Sequence, residues 1–88
     1  MSIYQVHKVC YMVLHDAAFR ERVREDPTKA LAEFRLTEEE RRALLAGEVG
    51  RLYQLGAHAF LLGHLQRFGL LGLTQELHVQ RIRTARTT

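Results

Sequence analysis

The 88-residue sequence predicts an all-α fold, a small compact bundle of about six short helices. Apolar residues recur at spacings of three and four along almost the whole chain, the period of a helix with one buried face. No segment sustains the period-two alternation of a strand, and no strand hairpin is present. Pro27 is the single proline, and β-branched residues cluster little.

The elements follow in order. Ile3, Val6, Cys10, Val13 and Ala17 form one stripe, which predicts a first helix over about 2–15. Asp16 caps a short second helix with Phe19 and Val23 on one face. Glu25-Asp26-Pro27 reads as a stop and a restart, with Asp26 as N-cap and Pro27 at the first helical position. Leu31 and Phe34 follow. Thr37-Glu38-Glu39-Glu40 is a capping box, and its three acids suit the positive end of a helix dipole. That helix ends near Gly47, a left-handed terminator. Val49, Leu52, Tyr53 and Leu55 fill a short helix that stops at Gly56. The next helix places Ala57, Leu61, Leu65 and Phe68 on one stripe and ends at Gly69. Thr74 caps a last helix carrying Leu77 and Ile82.

Size makes the chain one domain, read as a helical domain over 1–76 and a basic helix end and tail over 77–88. A chain this short hides only about 60–65% of the surface its unfolded form exposes, so its single core is small and a partner could stabilise it substantially. Hydrophobic residues make up 47% and charged residues 26%, a globular mixture rather than a disordered one. One cysteine excludes an internal disulfide framework and fits a reducing compartment. The opening MSIYQVHKVC has no basic segment followed by an apolar run, so no signal peptide is expected. The longest apolar stretch, Ala57–Leu73, contains His58, His64, Gln66 and Arg67 and is a poor membrane span. A cytoplasmic location is the expectation.

Net charge is +3. Residues 1–76 carry ten basic and ten acidic side chains, and the excess lies on Arg81, Arg83 and Arg86. Three arginines give few phosphate contacts, so nucleic-acid binding would be weak and salt-sensitive. A basic helix end that offsets the C-terminal dipole is the preferred reading.

The chain carries no assembled chemistry. Five histidines raise a metal hypothesis, but ligands on one helical face need spacings of three or four. His58 and His64 are six apart, His7 and His15 eight apart, and no carboxylate accompanies either pair in a ligand pattern. Surface or half-buried histidines are expected. Cys10 lies on the apolar stripe with no adjacent cation to activate it and reads as a small hydrophobe. No Gly-rich phosphate loop exists, and Ser2 is the lone serine. No acid, base and nucleophile assemble, so no catalytic or metal-ligating residue is assigned.

Gly56-Ala57-His58-Ala59-Phe60-Leu61-Leu62 combines small residues, an imidazole and an aromatic ring after a glycine turn. It reads either as a core helix starting at a glycine or as a surface that packs close to a partner. With Ala57, Leu61, Leu65 and Phe68 supplying the buried stripe, Phe60 and Leu62 fall off it, as do Leu70, Leu71 and Leu73 in the following loop. Their expected place is a partner surface. The alternative is that the last helix folds back and covers the loop.

The run Asp16…Phe19-Arg20…Asp26-Pro27…Leu31…Phe34…Leu36-Thr37-Glu38-Glu39-Glu40-Arg41…Ala43-Leu44-Leu45-Ala46-Gly47-Glu48…Leu52…Leu55-Gly56…His58…Leu61-Leu62 resembles the LigA-type domain. This is the small subunit of two-component extradiol ring-opening dioxygenases such as protocatechuate 4,5-dioxygenase. The likeness covers about residues 3–65, and LTEEERRALLAGEVGRLYQLGAHAFLL is its most specific part. The resemblance implies an all-α domain that docks on a larger LigB-type subunit, which holds the Fe(II) and the acid/base histidine. The small subunit then caps the pocket for a catechol-type aromatic and needs no cofactor of its own. The expected contact residues are Gly56, His58, Phe60, Leu62, Phe68, Leu70, Leu71 and Leu73. A second implication stays open. Stand-alone LigA-like domains resemble the recognition domain of borosin-type peptide precursors, which binds a backbone N-methyltransferase. The tail HVQRIRTARTT is basic and Thr-rich, unlike the apolar core peptides of such precursors.

Overall fold

The computed structural model describes residues 3–87. Its helices are α1 (Ile3–His15), α2 (Ala17–Glu25), α3 (Pro27–Leu31), α4 (Glu38–Ala46), α5 (Val49–Gln54), α6 (Ala59–Arg67) and α7 (Gln75–Thr87), and no strand occurs among the described residues. The all-α expectation holds, with seven helices among the described residues rather than about six. The radius of gyration is 11.7 Å, close to the ~12 Å of a compact domain of this length.

Local side-chain chemistry sets most helix ends. Asp16 closes α1 with its amide, which donates to the Met12 carbonyl, and opens α2 with its carboxylate, which accepts from the Phe19 amide at 3.0 Å. Two helices therefore join through one residue. Asp26 repeats the device: its amide donates to the Arg22 carbonyl and its carboxylate accepts from the Lys29 amide, while Pro27 starts α3 where a missing N–H costs nothing. At α4 the Glu40 amide donates to the Thr37 hydroxyl at 3.1 Å and the Thr37 amide donates to the Glu40 carboxylate at 2.9 Å. The full capping box explains why Glu40 is tolerated when buried. Thr74 caps α7 by accepting from the Leu77 amide.

The core forms on the inner faces: Val6, Val9, Cys10 and Val13 of α1, Phe19 and Val23 of α2, Leu31, Leu44, Leu52, Leu62 and Leu65. α1 packs on α6, α6 on α7, and α7 on α5. Two glycines make the last of these contacts possible. Gly47 ends α4 at φ +69°, and its carbonyl accepts from Arg81 Nη1 at 2.6 Å. Gly50 lies inside α5, where a β-carbon would stand 2.6 Å from the Arg81 carbonyl oxygen. The backbones of α5 and α7 meet more closely there than any side chain allows.

The expected phase of α6 is corrected. Ala57 precedes the helix: its amide donates to the Leu52 carbonyl, which closes α5, and His58 is the N-cap of α6. Taking Ala57 as the first residue of the α6 stripe therefore turned the helix by about one residue. Leu62 faces the core together with Leu65, while Leu61 and Phe68 are half-buried. The 69–73 connection also folds inward. Leu70 and Leu73 are buried, and the Leu70 amide donates back to the Leu65 carbonyl. The expectation that Leu62, Leu70 and Leu73 face outward is overturned, because the loop is tucked against α4 around Gly47. Leu71 is half-buried with φ +58°, a left-handed conformation unusual for leucine.

Candidate docking surface

Of the eight residues expected to meet a partner, Gly56, His58 and Phe60 are exposed, Phe68 and Leu71 are half-buried, and Leu62, Leu70 and Leu73 belong to the core. Phe60 is 71% exposed, the highest value among the large hydrophobic residues. Water contact over most of a phenyl ring is unfavourable, so such a ring gains from a covering surface.

His58 positions Phe60. Its Nδ1 accepts from the Phe60 amide at 3.2 Å, serving as a helix cap in place of the usual hydroxyl or carboxylate. Its own amide donates to His7 Nε2 at 2.9 Å. This bridge fastens the start of α6 to α1.

Further along the same pair of helices, Tyr11 and His15 have ring centres 4.3 Å apart, and Phe60 meets His64 edge-on at 5.4 Å. His64 is buried, and its pKa is held below the ordinary 6.5, first by burial and then by the nearby charges of Arg67 and His15. His15 ends α1 and His64 lies in α6, the two helices that pack on each other. The result is a seam of rings, with Tyr4, Tyr11 and Phe60 all more than half exposed. The α1 part of this seam escaped the sequence reading. Its signal is present, however: residues 4, 7, 11 and 15 follow helical spacing opposite the buried valines, but a stripe of tyrosine and histidine reads as a solvated face.

The remaining titratable groups form no reactive set. Cys10 is buried, and desolvation pushes its thiol up to about 12, far from a nucleophilic thiolate. The pKa of His78 is lowered by burial, and its Nδ1 has no hydrogen-bond partner among the described residues. Among the described residues no three His, Cys, Asp or Glu side chains converge as metal ligands, so the residues present do not fit the Fe(II) of ring-opening chemistry. Among the same residues no helix is long and apolar enough to cross a membrane.

Fold and surface together define a small helical domain that presents exposed rings and gathers no metal-ligand set among its described residues. The chain belongs to the LigA family: residues 6–84 match the family model described as the LigA subunit of the aromatic-ring-opening dioxygenase LigAB. The match extends beyond the stretch 3–65 and takes in most of α7. No curated protein and no solved structure matches the chain.

Proposed function

We propose that this chain is the non-catalytic small subunit of an extradiol aromatic-ring-opening dioxygenase. It docks on a LigB-type subunit and caps the site where a catechol-type aromatic is bound. The family match over residues 6–84 carries this reading. Two features support it. The described residues offer no convergent ligand set for iron, in keeping with an Fe(II) held by the large subunit. Phe60, exposed at the start of α6 beside the His7–His58 bridge, supplies an aromatic ring of the kind that anchors interfaces.

Co-expression with a LigB-type subunit from the same genome tests the proposal. Oxygen uptake with protocatechuate or a related catechol is expected from the complex and not from this chain alone. Uptake by the isolated chain, or failure of the two proteins to associate, overturns it. Association with a peptide-modifying methyltransferase instead would move the chain to the recognition-domain class.

A further inference from the structure

The charges of this small domain are segregated. Nine of its ten acids lie between Asp16 and Glu48, whereas α1, α5, α6 and α7 carry Glu76 as their sole acid. Four of those nine acids are held in ion pairs, three by arginines of the same part and one by Arg51 of α5. Glu33, Glu21, Glu38 and Glu39 pair with Arg22, Arg24, Arg42 and Arg51. By contrast, Lys8 of α1, Arg67 of α6, and Arg83 and Arg86 of α7 are exposed and enter no ion pair among the described residues. All five histidines lie on α1, α6 and α7 or, for His58, at the α6 cap. The four large hydrophobic residues left exposed, Tyr4, Tyr11, Phe60 and Val79, also sit on α1, α6 and α7. These helices are contiguous, since α6 packs on both α1 and α7.

Exposed cations with almost no acid beside them thus share the α1–α6–α7 layer with the uncovered rings, whereas the cations between Asp16 and Glu48, Lys29 and Arg35 included, lie among nine acids. A cationic rim around aromatic groups complements a protein surface with an apolar centre and acidic edges. We infer that the α1–α6–α7 layer is the docking face and that the surface it meets on the large subunit is acidic. This rests on the proposed function and adds to it the chemistry of the partner surface. Nucleic acid fits less well: four dispersed cations neutralise few phosphates, and the exposed rings are spread over the same layer.

Association with the LigB-type subunit, followed by stopped flow at low and at near-physiological salt, tests this. Arg83→Glu/Arg86→Glu is expected to slow association by about tenfold at low salt and to flatten its salt dependence. Arg35→Glu, on the other side, is expected to change the rate less than about twofold. Phe60→Asp is expected to accelerate dissociation while its circular dichroism stays that of the parent. If the wild-type chain binds and the double reversal binds at an unchanged rate, the acidic-surface inference is wrong and the subunit assignment stands. If the wild-type chain does not bind at all, both fall. Submicromolar binding to generic duplex DNA at physiological salt would assign the basic layer to phosphate and overturn the inference.

Discussion

The guanidinium of Arg20 lies over the ring of Phe68, 4.2 Å from its centre. The same group donates from Nη1 to the Val13 and Leu14 carbonyls at 2.8 and 3.2 Å, so it closes the C-terminal end of α1. One side chain of α2 thereby joins the end of α1 to the end of α6. Arg24 adds a second tie at the same place by donating to the Phe68 carbonyl at 2.8 Å.

Arg20→Ala is expected to lower stability by about 2 kcal/mol, the sum of charge-assisted bonds to two carbonyls and a partly exposed cation–π contact. Arg20→Lys should recover less than half of the loss, because an ammonium cannot both lie flat on the ring and reach two carbonyls. Urea unfolding of the three proteins measures this, and a lysine variant as stable as the parent would count against the geometry.

Gly50→Ala is expected to destabilise by about 1–3 kcal/mol, although alanine favours helix by roughly 1 kcal/mol over glycine. The reason is the 2.6 Å separation between the added carbon and the Arg81 carbonyl oxygen, a backbone atom that moves only if α7 moves. A raised melting temperature would show that α5 and α7 do not meet so closely.

Acid is expected to weaken the fold. The pKa values of His64 and His78 are held below the ordinary 6.5, in both cases mainly by burial. The unfolded chain therefore takes up protons at a pH where these rings stay neutral in the folded state. Their contribution is intact above the unfolded value and is lost as pH falls below about 6.5 toward the folded values. Denaturation midpoints measured downward from neutral pH should fall, and His64→Leu with His78→Leu should flatten the slope. A midpoint that holds or rises between about pH 7 and 5 contradicts the assignment.

The single thiol offers a direct probe of global opening. With Cys10 buried and its pKa pushed up to about 12, a thiol reagent is expected to leave the native protein unmodified and to label it fully in denaturant. Rapid labelling without denaturant would place Cys10 at the surface.

Features built from neighbours in the chain were legible in the sequence. The caps at Asp16, Asp26, Thr37 and Thr74 and the left-handed end at Gly47 each involve residues within a turn of one another, and each is found where local chemistry puts it. The phase of α6 was not legible, because the burial of Ala57 belongs to the closing turn of α5. Arg20 on Phe68 and Gly50 against Arg81 were also hidden, since no local rule pairs residues so far apart. For the docking surface, Phe60 and His58 were visible as residues of interest. Their partners on α1 emerged only when the fold set His7 beside His58.

The close fit of α5 on α7 has a consequence for synthesis. A six-residue helix such as α5 does not persist alone in water, and its seat is provided by residues 75–87. Gly50 waits for Arg81, and the carbonyl of Gly47 waits for the same arginine. On the ribosome, α6 can pack on α1 before synthesis ends, but the α5–α7 contact forms only once residues 75–87 have left the exit tunnel. Val49 and Leu52, the buried side chains of α5, reach their final packing only then.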